Sequence, residues 1–377
     1  MNFSFTDEQE AIRETVARFA KEEIGPRAEE DDRESRFPEE VFSKMRDLSL
    51  FGIITPTDYD GAGLDYMSYT IVLEELARYS AAVAVSLSVT NFPQAVLVQH
   101  GSEELKKRYL PPLATGETLG ALAITEPNAG SDAGAIGTTA TKQGDKYVLN
   151  GTKVWITNGG KASLYVVTAR TGGPGSKGVS TFLVAADDPG FKIGKHEDKM
   201  GLRASQTTEI LLENCEVPQE RRLGEENKGF EIVKNALYGG RISIGAIANG
   251  IARAGYEEAL EYAKERKQFG VPIVDFQGIG FMLADMRAGI DASKLLVQKA
   301  AWLRDQKLPY MVEASIAKRV ATDNAMQVTT DAVQVFGGYG YTKEYPVERY
   351  MRDAKVTQIF EGTNQIQRQI IAKSIRR

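Results

Sequence analysis

One cysteine and two histidines in 377 residues exclude several kinds of chemistry at the outset. Cys215 has no partner for an internal disulfide and suits a reducing compartment, so a cytoplasmic location is expected. His100 and His196 stand far apart in unrelated settings, which argues against a His-rich metal site and against a Ser-His-Asp triad; no metal is expected. No GxxxxGK[ST] run is present, so a P-loop is absent. No apolar run approaches the ~20 residues a membrane span needs. The opening residues, Met1 to Glu8, carry neither the basic start and apolar core of a secretory signal nor an Arg/Ser-rich transit character. Acidic residues outnumber basic ones, and the net charge of −5 disfavours nucleic acid as the main partner. Carboxylates, hydroxyls, backbone amides or a borrowed cofactor remain to carry the chemistry.

A chain of this length exceeds one compact core and predicts two or three domains. The first third reads as helices. Thr6-Asp7-Glu8-Gln9 is a capping-box pattern, followed by Ile12, Val16, Phe19 and Ala20 at helical spacing. A second helix is expected from Pro38, with Val41, Met45 and Leu48 on one face. Met67 to Arg78 is periodic, and the uncharged run from Ala81 to Val98 reads as a buried helix broken or kinked at Pro93. Pro111-Pro112 and Gly116 mark the end of this block. After Gly120 the pattern is β-rich: Tyr147–Leu149, Val154–Ile156, Leu164–Val167, Thr181–Val184, Ile210–Leu212 and Glu216–Pro218 read as strands, with turns at Gln143–Asp145 and Asn150-Gly151. From Gly229 long helical stripes return, one persisting to about Phe269, then from about Val274 to Gln306 and from Tyr310 to Phe336. The expected architecture is α+β and multidomain: an N-terminal helical domain (1–118), a middle antiparallel β-barrel or sandwich (119–225) and a C-terminal four-helix bundle (226–377) that also suits packing against another subunit.

Four segments stand in order along this frame: Leu122-Ala123-Ile124-Thr125-Glu126-Pro127-Asn128-Ala129-Gly130-Ser131-Asp132, Asn150-Gly151-Thr152-Lys153-Val154-Trp155-Ile156-Thr157-Asn158, Glu265-Arg266-Lys267-Gln268-Phe269-Gly270, and Phe360-Glu361-Gly362-Thr363. Each alone is a weak signal. Together they make the whole chain resemble the acyl-CoA dehydrogenase family, most closely its short-chain, butyryl-CoA-type bacterial members.

The resemblance implies FAD as cofactor and gives roles to particular residues. The first segment reads locally as a surface turn; in the family its amides at Leu122 and Ile124, with Thr125, bond the polar edge of the flavin, while Ser131 reaches toward the cofactor and the acyl-CoA. Trp155 alone reads as a core aromatic, but Thr157 two residues on shares its strand face, and the family uses this pair beside the flavin ring. Arg266 reads as a solvated helix charge with Phe269 on the same helix face. By resemblance Arg266, Phe269 and Gln277 hold the dinucleotide, the guanidinium suiting a pyrophosphate. Gln334, Gly337 and Gly338 match the segment that crosses to a neighbouring subunit's FAD, which implies a homo-oligomer, a tetramer built as a dimer of dimers. Locally Gly337-Gly338-Tyr339-Gly340 is also a helix stop, and the two readings are compatible. Thr363 and Gln365 are implied FAD contacts.

Glu361 read locally is a favourable charge ahead of a helix N-terminus. The family places its catalytic base here, with Gly362 close to the thioester. The implied reaction is loss of the α-proton to Glu361 and of the β-hydride to flavin N5, giving a trans-2-enoyl-CoA, with electrons passed to an electron-transfer flavoprotein. A carboxylate at its reference pKa of about 4.3 is a poor base for this, so burial and hydrogen bonds to the thioester carbonyl are expected. Gly240 occupies the place of an alternative base used elsewhere in the family, and Arg241 matches a residue near CoA. Tyr238 stands where relatives often carry Asp near the pantetheine, and Phe360 replaces a commoner Tyr. The uncharged stretch Ala81 to Phe92 offers no cation for a dicarboxylyl substrate, and Asn91 and Phe92 shorten the pocket, favouring a short, branched or cyclic acyl group. The other readings are a flavin acyl-CoA oxidase and a non-catalytic scaffold that retains the fold.

Overall fold

The computed structural model describes residues 4–376; Met1–Phe3 and Arg377 lie outside them. Thr6 caps α1 (Asp7–Phe19): Gln9 N–H donates to Thr6 Oγ1 and Thr6 N–H to Gln9 Oε1, each at 3.2 Å, so two end donors are satisfied reciprocally. After α2 (Ala28–Glu34), α3 (Glu39–Asp47) buries Val41, Phe42 and Met45. Pro38 occupies its cap position rather than its first turn, and Leu48, expected on the buried face, lies past its end and is exposed.

Asp65, Ser80 and Ser102 cap α4 (Tyr66–Ala77), α5 (Ala81–His100) and α6 (Glu103–Ala114). The helical block ends at Ala114, close to where Pro111-Pro112 and Gly116 mark it, but the break expected at Pro93 is absent. Pro111 and Pro112 fall inside α6, and α5 runs unbroken through Pro93. Pro93 removes only one backbone donor, and α4, α6 and β1 (Leu119–Ala123) surround α5 and hold it together. The 20 residues of α5 also meet the length and apolarity of a membrane span, contrary to the expectation that no run approaches it. That stretch is 89% buried inside the protein, where a core helix belongs.

The middle region is one eight-stranded sheet formed by β1, β2 (Thr139–Gln143), β3 (Lys146–Thr157), β4 (Ala162–Arg170), β5 (Val179–Ala185), β6 (Phe191–His196), β7 (Thr207–Pro218) and β8 (Arg222–Leu223). Its order is β6-β7-β3-β2-β4-β5-β8, with β1 lying parallel beside β4 and the long pairs antiparallel. Asn150-Gly151 is no turn: β3 passes straight through it, paired with β7 from Lys146↔Pro218 to Thr157↔Thr207, with register irregularities at Leu149/Gly151 and Lys153/Ile156.

The C-terminal helices are α7 (Gly229–Glu265), α8 (Gln277–Asp305), α9 (Met311–Phe336), α10 (Val347–Thr357) and α11 (Asn364–Ile375). Small residues let α7 and α9 approach closely: Ala248 and Ala252 on one, Ala314, Ala317, Ala321 and Ala325 on the other, all without exposed surface. The helix expected to persist to about Phe269 stops at Glu265, and Lys267–Gln268 and Val271–Pro272 pair as a small hairpin. On the outer side of α8, Phe281, Leu295 and Trp302 are exposed at multiples of seven residues, an apolar stripe facing away from the bundle.

Candidate active site

All the site residues but Ser131 fall into three groups. The first is built on β1 and β3. Between Lys153↔Ile210 and Ile156↔Thr208, Val154 and Trp155 face the single residue Glu209, so β3 bulges. Trp155 takes a left-handed φ of 61°, a conformation costing a non-glycine residue roughly 1–2 kcal/mol. Its ring is 59% exposed while Lys153 and Ile156 beside it are buried. Asn158 pins the strand end, its Nδ2 donating to the Ser86 and Gly120 carbonyls at 2.9 and 3.0 Å.

Lys153 points inward. Its Nζ donates to the Ile124 carbonyl (3.0 Å) and to Glu126 Oε1 (2.7 Å), while Val154 N–H donates to the Thr125 carbonyl (2.9 Å). Glu126 in turn accepts from Gly137 N–H at 2.6 Å and Thr138 N–H at 3.0 Å. This network ties Ile124 and Thr125 to the strand that carries Trp155 and Thr157. Burial pushes the Lys153 pKa down to about 8 against the pull of Glu126. For Glu126 burial acts upward, and the Lys153 charge and hydrogen bonds outweigh it, lowering its pKa.

The second group lies at the far ends of α7, α8 and α9. Arg266 ends α7 in extended backbone, and Phe269 and Gly270, with φ of 52° and 86°, turn the hairpin. Arg266 and Phe269 therefore do not share a helix face; the tight turn projects the Phe269 ring, 95% exposed, against the edge of Phe276 at 6.0 Å. The Arg266 guanidinium lies 5.8 Å from the Tyr339 ring centre and has no carboxylate partner among the described residues. Gln277 opens α8 and Gln334 lies in the last turn of α9, both exposed. Gly337 ends α9 with φ 60°, and nothing lies within 4 Å of where its Cβ or that of Gly338 would stand. Among the described residues no hydrogen bond or ring contact joins this group to the first. Ser131 stands apart from both, exposed on a loop that Arg170 fastens by donating to the Gly134 and Ile136 carbonyls.

The third group surrounds Glu361, which lies in the bend between α10 and α11 with φ 52°, followed by Gly362 at 91°. It precedes the α11 cap, Thr363, whose Oγ1 accepts from Ile366 N–H at 3.3 Å, so Glu361 is outside the helix. Its Oε2 is buried without a partner, and among the described residues no backbone acceptor takes its N–H. A Cβ on Gly240 would fall within 3.0 Å of both Glu361 Oε2 and Phe92 Cζ; the carboxylate rests where only glycine leaves room. Burial pushes the Glu361 pKa up to about 8, with Lys318 and Arg241 pulling it back. Arg241 is buried, its Nε unpartnered and its guanidinium 4.9 Å from the Tyr238 ring centre; burial lowers its pKa. Gln365 is exposed on the first turn of α11.

Lys318 and the Lys153–Glu126 pair carry no role in the motif reading. A periodic signal was available for both. Lys318 follows the small-residue spacing of Ala314, Ala317, Ala321 and Ala325, and Lys153 follows Tyr147 and Leu149 in strand alternation.

An exposed indole, a projecting phenylalanine, an unpaired guanidinium, two free carboxamides and open glycines suit a flat ligand with an anionic centre, and FAD is such a ligand. A carboxylate with one buried, unpartnered oxygen and a raised pKa suits proton abstraction. Three family models match the chain consecutively: the acyl-CoA dehydrogenase N-terminal domain over residues 6–117, the middle domain over 121–215 and the C-terminal domain over 227–376. The chain belongs to the acyl-CoA dehydrogenase family, whose members are FAD-dependent. It is 49% identical over 377 residues to a short-chain specific acyl-CoA dehydrogenase of Clostridium acetobutylicum, covering 100% of each chain. The butyryl-CoA dehydrogenase structure from Megasphaera elsdenii superposes with a TM-score of 0.98 at 46% identity, again covering 100% of both. A chain in a structure of the electron transferring flavoprotein of Acidaminococcus fermentans gives a TM-score of 0.98 at 45% identity and 100% coverage of both.

Proposed function

We propose that this acyl-CoA dehydrogenase oxidises a short, unbranched acyl-CoA to the trans-2-enoyl-CoA with Glu361 as its base. The unpartnered, buried Oε2 of Glu361 carries this reading: no donor within the protein satisfies it, which leaves it free to accept a proton from a ligand. Its pKa of about 8 brings it closer to a weak carbon acid than an ordinary carboxylate is. The free Glu361 N–H is available to the thioester carbonyl, where negative charge develops as the proton leaves. FAD, when bound, supplies the acceptor for the β-hydride. The first group would hold its ring edge through Leu122, Ile124, Thr125, Trp155 and Thr157, and Arg266, Phe269, Gln277, Gln334, Gly337 and Gly338 its dinucleotide portion, with Thr363 and Gln365 beside the base. Ser131, Tyr238, Arg241 and Gly362 remain the proposed substrate contacts, Arg241 acting from beneath the turn rather than from solvent.

Phe92, whose ring abuts Gly240 beside the carboxylate, would limit the acyl end of the site, and the similar enzymes are named for short-chain and butyryl substrates. The branched and cyclic alternatives are accordingly dropped. The separation of the two flavin-facing groups and the apolar stripe on α8 support assembly from several copies, a tetramer as a dimer of dimers. The likeness to a chain in an electron transferring flavoprotein structure supports such a flavoprotein as electron acceptor.

The test is an anaerobic titration of the purified protein with acyl-CoAs of increasing length. Bleaching of the oxidised flavin band by butyryl-CoA, lost in Glu361→Gln, is the expected result. A Glu361→Gln variant reduced at the wild-type rate removes Glu361 as the base. Purification without flavin would instead favour a scaffold, and rapid peroxide formation an oxidase.

A further inference from the structure

Lys318 is fully buried on α9, yet among the described residues no carboxylate lies within salt-bridge distance of it. Its Nζ donates to two neutral oxygens, the Gly362 carbonyl at 3.0 Å and Asn364 Oδ1 at 2.9 Å. The Gly362 carbonyl also accepts from Gln367 Nε2 at 2.8 Å. Asn364 is held in turn, its Nδ2 donating to Thr322 Oγ1 at 2.9 Å and Asp323 Oδ1 at 2.7 Å. Two donors, one from α9 and one from α11, thus converge on the carbonyl that follows the base.

Glu361 and Gly362 both occupy left-handed backbone. A glutamate keeps that conformation only where its surroundings over-determine it. A methionine or leucine would fill the Lys318 position without the desolvation cost of an ammonium. The ammonium is explained by what it holds and by the charge it brings under the turn.

We infer that Lys318 is a positioning residue for Glu361: its ammonium clamps the Gly362 carbonyl, keeps the base in its left-handed turn against Gly240, and favours the ionised carboxylate. This rests on Glu361 being the base. The other charged or titratable groups that bear on Glu361 are Arg241 from α7, Tyr66 and Tyr69 from α4, and Arg304 of α8 acting through Tyr66, whose ring centre lies 3.7 Å from its guanidinium. Asp323 of α9 bears on Lys318 itself. Among the described residues Arg241 is the only other cation acting directly on the carboxylate, so removing Lys318 takes away a large part of the opposing charge.

The test compares Lys318→Met, which keeps the stem and removes the charge and donors, with Glu361→Gln and wild type, all FAD-loaded. Single-turnover bleaching by butyryl-CoA gives a limiting rate and a half-saturation concentration, and exchange of the α-hydrogens with D2O reports on the base alone. In Lys318→Met the limiting rate and the exchange rate are expected to fall about 10- to 100-fold, with half-saturation within about threefold, as for a reacting group misplaced by about 1 Å. Burial pushes the Lys318 pKa down to about 7 against the pull of Glu361, so its charge favours ionised Glu361 chiefly below that pH. Loss of that charge is expected to move the acid side of the ascending limb to higher pH, while loss of the two hydrogen bonds lowers the rate throughout. A wild-type limiting rate and pH midpoint overturn the inference. So does a parallel loss of rate, affinity and melting temperature without a pH shift, which marks a residue that only stabilises the fold. If Lys318→Met does not fold, Gln367→Met decides, since it strips the second donor from the same carbonyl: a lower limiting rate at unchanged half-saturation supports the clamp, and a wild-type rate refutes it. A fully active Glu361→Gln refutes the base assignment instead, whatever Lys318→Met does.

Discussion

Gly240→Ala is the smallest perturbation of the base, adding one methyl group where Glu361 Oε2 and Phe92 Cζ both lie closer than 3.0 Å to the new carbon. Two effects on stability oppose each other. Alanine gains ~1 kcal/mol of helix propensity over glycine inside α7. Overpacking of a closed site costs about 1–3 kcal/mol. The net change, about 0–2 kcal/mol of destabilisation, leaves a folded enzyme with a slightly lower melting temperature. Catalysis responds more steeply. Relieving the overlap moves the carboxylate by about 1 Å, and displacement of that size costs on the order of 100-fold, or about 2.7 kcal/mol of barrier. Thermal melting and anaerobic stopped-flow bleaching with butyryl-CoA measure the two quantities on one preparation. A variant that melts near wild type and is reduced on the order of 100-fold more slowly is the expected outcome. If Gly240→Ala is reduced at the wild-type rate, the carboxylate does not work from its place against Gly240.

Four further outcomes follow from the same geometry. Because burial raises the Glu361 pKa from its usual 4.5 to about 8, and only the ionised form accepts a proton, the limiting rate of flavin reduction rises with pH and levels above about 8. The same raised value means that the folded state holds a proton the unfolded state has released, so this group's contribution to stability is present in full below about 4.5 and declines as pH rises toward 8; urea midpoints across that window fall less in Glu361→Gln. Lys153→Met leaves Glu126 buried and unpaired, costing about 3–5 kcal/mol and loosening the 125–138 loop; the flavin-to-protein ratio after gel filtration drops, and adding Glu126→Gln recovers part of the stability. Phe92→Ala opens the end of the pocket, lowering stability by about 3–5 kcal/mol while shifting the kcat/KM profile toward longer acyl groups; an unchanged chain-length profile refutes its role as the pocket's limit.

Much of the fold was legible because local chemistry and tertiary packing agree. Thr6 and Gln9 form the reciprocal cap their spacing suggests, and the long apolar stripes became α7, α8 and α9. Where they disagree, packing wins. Asn-Gly is a strong hairpin signal, but at 150–151 β7 lies alongside and continues the ladder past it. Pro93 ends most helices, yet here the surrounding elements hold α5 continuous. At the site, Glu361 and the proposed flavin-facing residues are legible only through the family resemblance, whereas the forces acting on them are not. The bulge that turns Trp155 outward depends on register with a strand some fifty residues later, and the Lys318 clamp joins α9 to a turn 44 residues on. Neither relation leaves a trace in local periodicity. The shared helix face assumed for Arg266 and Phe269 failed for a similar reason: a two-residue hairpin, marked only by Gly270, interrupts the helix between them.

The bulged, outward-turned Trp155 is one of only two tryptophans in the chain, the other being Trp302 on α8. Phenylalanine at position 302 would leave all indole fluorescence to a single ring at the proposed flavin edge. Occupancy of that edge, and any exchange of cofactor between copies, would then be readable from emission intensity in real time, without added dye and without turnover. The residue whose backbone is held in an unfavourable conformation would then also be the chain's built-in optical gauge of whether the proposed cofactor has arrived.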